Sequence, residues 1–76
     1  MPEVVIRTED GKSVREGDRV YDYYSMEPGV IVPNSIVMHP DPWFDVEKDN
    51  GKRTLLNGQR ICTLQHAKRM GWPNAE

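Results

Sequence analysis

Turn-forming residues interrupt this 76-residue sequence so often that most of it leaves no room for a long helix. Short runs rich in Val, Ile, Tyr, Trp and Phe recur about every 8–14 residues, and Gly, Pro, Asn or Asp residues separate them. Within several runs apolar and polar side chains alternate, which is the period of a strand with one buried face. The pattern therefore predicts a mainly β protein built from short antiparallel strands.

Two places in the chain predict particular backbone features. Asn50-Gly51 lies between the β-type runs 43–48 and 53–56, and this pair predicts a two-residue hairpin loop with a type I′ turn. Pro33 interrupts the apolar residues between Val30 and Met38, and because proline cannot donate to a sheet ladder it predicts a bend there.

The last part of the chain changes to a helical period. Leu64, Ala67 and Met70 are spaced by three, Thr63 is a candidate N-cap and Gly71 a candidate C-terminal glycine, so we expect a short helix that closes one end of a barrel. The predicted architecture is one small SH3-like antiparallel barrel of about five strands over residues 1–73, followed by a frayed tail at 74–76. Its predicted core is Val4, Ile6, Val20, Val30, Ile36, Phe44, Val46, Leu55, Ile61, Leu64 and Met70.

One stretch resembles known small barrels. Glu16-Gly17-Asp18-Arg19-Val20-Tyr21, followed by Gly29-Val30-Ile31, is similar to the opening of KOW and Tudor-like domains, in which a Gly-Asp turn leads into the first long strand. The resemblance implies a barrel of this type. Tudor-like domains that read methylated side chains use a cage of rings, and the rings that could supply one here are Tyr21, Tyr23, Tyr24 and Trp43.

Gly17-Asp18-Arg19-Val20 also resembles the opening of the type II dihydrofolate reductases. Those enzymes depend on a Val-Gln-Ile-Tyr segment in a late strand, which lines a pore formed by four chains. The corresponding late segments here, 53–56 and 59–62, do not contain that motif. The sequence therefore gives no reason to expect the reductase activity.

Residue types that carry catalysis or bind metals are few. His39, Asp41, Cys62 and His66 form the only plausible metal set, and they lack the two close ligand pairs that zinc sites usually show. Neither Cys62 nor any serine has a recognisable base partner, and the glycines are isolated instead of forming a phosphate-binding loop. We expect no metal, no cofactor and no enzymatic activity, and a buried Cys62.

Cysteine content and hydropathy bear on location. A single cysteine cannot form an intramolecular disulfide, which favours a reducing compartment. The first residues lack the features of a signal peptide, and no apolar run approaches the roughly 20 residues that cross a bilayer. A cytoplasmic location without membrane contact is the expectation.

Aromatic residues give the leading functional hypothesis. A barrel this small cannot bury Tyr21, Tyr23, Tyr24, Trp43 and Trp72 together, so some ring surface must be exposed. Exposed aromatic surface often marks contact with a protein partner or with a second copy of the chain. We therefore expect a non-catalytic binding module, with a homodimer as one form, that uses Tyr21, Tyr23 and Trp43.

Two alternatives remain open. Lys48, Lys52, Arg53 and Arg60 flank the predicted hairpin and could bind single-stranded nucleic acid with help from a nearby ring. The pI of about 5.6 argues against that partner, and the same charges could instead keep the hairpin rim solvated and unpaired. The second alternative is a small subunit whose role is assembly.

Overall fold

The computed structural model describes residues 4–38 and 40–75. Strands make up 41% of them and helices 14%, which confirms the prediction of a small, mainly β, barrel-like fold with one short C-terminal helix. The elements are β1 (Ile6–Arg7), β2 (Ser13–Val14), β3 (Arg19–Asp22), β4 (Glu27–Ile31), β5 (Val37–Met38), β6 (Pro42–Lys48), β7 (Arg53–Asn57), a 3-10 turn (Gly58–Arg60), β8 (Ile61–Cys62) and α1 (Leu64–Met70).

Antiparallel pairing arranges the main sheet in the order β8, β3, β4, β6, β7. The predicted bend at Pro33 separates β4 from β5, and β5 pairs with the start of β6 beyond the part that β4 occupies. The strands at the two ends of this order, β7 and β8, are joined only by the three-residue 3-10 turn. Such a short connection can join the two ends only if the sheet curls back on itself, which produces a half-barrel.

The β1–β2 hairpin packs beside the 3-10 turn. Ile6 and Val14 pair across the hairpin and are both buried in the main core. Gly58 lies so close to the backbone oxygen of Arg7 that a Cβ atom would overlap it, so only glycine fits at this contact. Asp10 ties the hairpin to the start of α1, because it accepts hydrogen bonds from the backbone N–H and the hydroxyl of Thr63 at 3.3 and 2.8 Å.

The β6–β7 hairpin forms at the predicted place, but its loop differs from the predicted one. The Gly51 N–H donates to the Lys48 carbonyl at 2.9 Å, and the Lys48 N–H donates to the Lys52 carbonyl at 2.8 Å, which leaves three residues in the loop. Gly51 has a φ of 87°, whereas Asn50 is not among the residues with positive φ. A type I′ turn needs both residues in that region, so the loop is a type I turn followed by a glycine bulge.

The core confirms part of the predicted set and corrects the rest. Its buried residues are Ile6, Val14, Val20, Ile31, Phe44, Val46, Leu56 and Ile61, with Ile36 packed against them. Leu55 and Met70 were predicted to be buried but are 57% and 55% exposed. Leu56 and Ile31 occupy the core positions that were assigned to their neighbours Leu55 and Val30. Adjacent strand residues face opposite sides, so an error of one position exchanges inside for outside.

A second cluster holds α1 and the chain beyond it. Tyr21, Cys62 and Ala67 are buried there, and Trp72 packs against them. Thr63 and Gly71 act as the predicted helix caps: Thr63 accepts from the His66 N–H at 3.2 Å, and Gly71 has a φ of 75°.

Two residues of the predicted frayed tail contact the body of the protein. The Asn74 side chain donates to the Met26 carbonyl at 3.1 Å, and Ala75 packs on the second cluster. Fraying of the tail stays a prediction, and Glu76 lies outside the described residues. No helix within 4–38 and 40–75 is long and apolar enough to cross a membrane.

A buried ion pair links β6 to β3. The Lys48 ammonium lies 3.1 Å from the Asp22 carboxylate and 2.9 Å from the Ser25 hydroxyl, and the side chains of Lys48 and Asp22 are only 6% and 3% exposed. Burial acts to raise the pKa of Asp22, but hydrogen bonds from Lys48, Ser25 and the Tyr24 N–H outweigh that effect and lower it. Asp22 is therefore ionised at neutral pH.

We expect the buried ion pair to be needed for stability. Replacing Lys48 with Met keeps the aliphatic stem but leaves Asp22 buried without its counter-ion, so we expect a loss of roughly 3–5 kcal/mol in the free energy of unfolding at pH 7. Lys52→Met on the exposed loop is the matched control and should change little.

Acid provides a second readout of the same pair. Because the Asp22 pKa is lowered on folding, its stabilising contribution is complete above the ordinary pKa of 3.8 and is lost as the pH falls through the folded value. Urea unfolding at several pH values measures both effects. A Lys48→Met variant as stable as the wild type would mean that this ammonium is solvated.

Candidate binding surfaces

Tyr21 is a structural residue. It is completely buried, its ring stacks on Trp72 with centroids 5.9 Å apart, and its hydroxyl donates to the Pro73 carbonyl at 2.5 Å. The expectation that Tyr21 is exposed for partner contact is thereby corrected. Val20 lies in the main core on one face of β3, and α1 with the chain beyond it covers Tyr21 on the opposite face, which a sequence pattern does not reveal.

Tyr23, Tyr24 and Trp72 form a continuous group of rings, named here the aromatic cluster. Tyr23 is half-buried, packs 5.1 Å from Tyr24 and 5.9 Å from Trp72, and donates its hydroxyl to the Gln59 carbonyl. Tyr24 is 63% exposed, and the Arg60 guanidinium lies 3.8 Å from its ring centroid. The cluster thus uses most of its ring faces internally, with Tyr24 as its exposed member.

Trp43 belongs to a different surface. Phe44 and Val46 point into the core, so Trp43 and Asp45 point to the outside of the sheet. Val37 pairs with Trp43, and Leu55 pairs with Asp45, so both side chains share that outer side. Val37 and Leu55 are 58% and 57% exposed, and Trp43 is half-buried, with Val37 opposite it on one side and Asn57 on the other.

We call Val37, Trp43 and Leu55 the outer apolar face. The sequence analysis proposed Trp43 as a contact residue and did not propose Val37 or Leu55, since their place beside Trp43 depends on a strand register that the sequence does not encode locally. The rings that the Tudor-like resemblance assigns to a cage are divided. Tyr23 and Tyr24 contact each other, and no ring contact joins them to Trp43 within the described part of the chain.

The four basic residues predicted to bind nucleic acid do not form one surface. Lys48 is buried in its ion pair, which corrects its assignment as a binding residue. Lys52 is exposed on the hairpin loop, Arg53 lies 3.9 Å from the Asp45 carboxylate, and Arg60 packs on Tyr24. Their charges are therefore separated or partly compensated.

The candidate metal and nucleophile residues are also dispersed. Burial, aided by the nearby Asp10 and Asp22 charges, raises the pKa of Cys62 to about 11, so its sulfur remains a thiol at neutral pH. His66 packs edge-on against Trp72 at 5.6 Å. Within 4–38 and 40–75 no group of three potential metal ligands comes together, and His39 lies outside these residues.

Open clefts indent the described surface. In one of about 400 Å³, polar side chains of the wall bond to one another, and the Arg19 guanidinium pairs with both Asp49 oxygens at 3.1 and 2.9 Å. The cleft of about 270 Å³ runs along the end of β7 and is lined by Val5, Ile6, Arg7, Asp41, Pro42, Asn57, Gly58 and Gln59. The side-chain oxygen of Asn57 is buried beneath the surface, and no described residue donates a hydrogen bond to it.

Comparison with known proteins finds segments of larger enzymes. The chain is 32% identical over 74 residues to isoleucine–tRNA ligase of Bacillus cereus (strain AH187), an alignment that covers 96% of this chain and 8% of the ligase. The isoleucine–tRNA ligases of Bacillus cereus (strain B4264) and Bacillus anthracis (strain A0248) are 31% identical over the same length. No family model and no solved structure matches. The chain thus spans about 8% of the length of the curated relatives it matches.

Proposed function

We propose that this protein is a non-catalytic protein-interaction module and that the outer apolar face is its contact surface. The observation that carries the proposal is the exposure of Val37 and Leu55, 58% and 57%, beside the Trp43 ring on the outer side of a sheet. When a partner removes large apolar side chains grouped in this way from water, the free energy falls and binding is favoured.

The surroundings of the outer apolar face fit such a contact. Tryptophan is among the residues that contribute most to binding when it lies at the centre of an interface. Around Trp43 the outer side of β6 and β7 carries Asp45, Glu47 and Arg53, which are polar and at least partly exposed. An apolar centre with a charged rim is the usual arrangement of a specific protein interface.

The aromatic cluster supports this choice by contrast. Tyr23 and Trp72 pack on neighbouring rings, and Tyr23 also donates to a backbone carbonyl, so their main role is to hold the C-terminal segment. Tyr24 has its ring covered on one face by Arg60. These rings therefore already have contacts within the protein.

Single substitutions test the contact surface. Trp43→Ala should retain the native circular dichroism spectrum, because the ring lies on the outer side, and should reduce capture of the partner at least tenfold in a pull-down from the source cells. Tyr24→Ala, which removes a more exposed ring elsewhere, should capture as much partner as the wild type. Equal loss with both variants, or none with either, would contradict the outer apolar face as the contact site.

A second candidate function is binding of single-stranded RNA. Two features favour it: the similarity to a segment of proteins named for ligation to tRNA, and the guanidinium–ring stack of Arg60 on exposed Tyr24. Lys68 and Arg69 are exposed on the last turn of α1 and add positive charge to the C-terminal part of the chain. Stacking with backbone charge neutralisation is the common chemistry of single-strand binding.

Salt dependence separates this candidate from the first. Affinity for a fluorescent single-stranded RNA should fall steeply between low and physiological salt if basic side chains neutralise phosphates. The triple variant Lys52→Glu, Arg53→Glu, Arg60→Glu should then lose the remaining affinity, and Trp43→Ala should keep it. Absence of binding at low salt would eliminate this second candidate.

A further inference from the structure

The outer edge of β7 carries backbone groups that pair with no strand of the described chain. The Lys48 N–H donates to the Lys52 carbonyl, so, counting from that pair, Thr54 and Leu56 exchange hydrogen bonds with β6. The backbone groups of Arg53 and Leu55, which lie between them, point away from β6. Among the described residues no strand pairs with that side of β7.

This edge has little of the protection that exposed edges usually carry. Lys52 and Arg53 place charge at the hairpin end, but the following residues Thr54, Leu55 and Leu56 are uncharged, and β7 contains neither proline nor a bulge. A five-residue strand with free donors and acceptors is a template for strand addition.

Unsatisfied polar chemistry lies at the other end of the same edge. Asn57 ends β7, and its side-chain oxygen is buried without a hydrogen-bond donor. The Asp41 carboxylate lines the same cleft of about 270 Å³. The Asn57 oxygen is too buried for a partner to reach, whereas the exposed Asp41 carboxylate attracts a cationic side chain. Arg7 lies on the wall of the same cleft.

We propose that a second copy of this chain adds its β7 antiparallel to this edge, with Leu55 opposite the partner's Leu55. This inference rests on the proposed function, since it names the partner of the same side of the sheet. In this register Arg53 lies opposite the partner's Asn57, and by two-fold symmetry the partner's Arg53 lies opposite Asn57. Hydrogen-bonded antiparallel pairs have Cα atoms about 5.5 Å apart, well within the reach of an arginine side chain.

Three features favour a second copy over an unrelated peptide. The partner's Arg53 brings positive charge towards Asp41, which is exposed at the cleft at this end of the edge. Like charges are not placed opposite each other, because Arg53 faces a neutral amide. The two outer apolar faces also become continuous through the Leu55 pair.

Sedimentation velocity over a concentration series tests the proposal with two variants at one position. Leu55→Pro removes the N–H that points to the partner but no hydrogen bond to β6, so the fold should persist while association is abolished. Leu55→Ala keeps that N–H and loses only side-chain contact. The wild type should dimerise with rising concentration, Leu55→Ala should dimerise about tenfold more weakly, and Leu55→Pro should stay monomeric.

The sedimentation results distinguish strand addition from other modes of association. Equal dimerisation by Leu55→Pro and Leu55→Ala would overturn strand addition, since the edge N–H would then not matter. A wild type that is monomeric throughout would overturn the second copy as partner. The Trp43→Ala pull-down would then still test the proposed function, because partner capture does not depend on self-association.

A third variant keeps the test decisive if circular dichroism shows Leu55→Pro to be unfolded. Arg53→Glu places a carboxylate opposite the partner's Asn57 and near Asp41, so dimerisation should weaken at least tenfold. Lys68→Glu, an exposed change on α1 away from this edge, is the matched control for the change of charge. Unchanged dimerisation of Arg53→Glu would contradict the pairing.

Discussion

Three residues, Gly58–Arg60, connect the strands at opposite ends of the sheet. This short connection requires a curled sheet, and the curl gives the strands a concave inner side and a solvent-exposed outer side. The sheet must curl for β7 to lead directly into β8. Curling encloses Phe44 and Val46 on the concave side and turns Trp43 and Leu55 outward. The outer apolar face is thus a consequence of closing the sheet with so short a connection.

Several residues that look functional in the sequence are used to hold this curled sheet together. Tyr21 holds Trp72 and Pro73 against the second cluster, and Lys48 neutralises Asp22 beneath the β3–β4 turn. A small domain buries little apolar surface, so a buried ring or a buried charge pair carries a large share of its specificity. Tyr21 and Lys48, both predicted to contact a partner, are therefore part of the interior.

The sequence predicts the class of the fold well because strand period, turn residues and helix caps are local signals. Thr63 and Gly71 bound the helix, and Asn50-Gly51 marks the hairpin. It does not decide between adjacent apolar residues: Leu55 and Leu56 are both leucine, and only the pairing with β6 determines which one is inside. The sequence predicts Trp43 as a contact residue because it is aromatic, whereas Val37 and Leu55 become its neighbours only through register.

Amide hydrogen exchange along β7 at two protein concentrations tests the pairing most directly. At low concentration the amides of Thr54 and Leu56 should exchange slowly, since they donate to β6, and those of Arg53 and Leu55 should exchange fast. At high concentration Arg53 and Leu55 should become protected as a second copy pairs with their edge. Fast exchange at both positions at every concentration, or complete protection already in the dilute protein, would contradict an edge that is open in the monomer and pairs with a second copy.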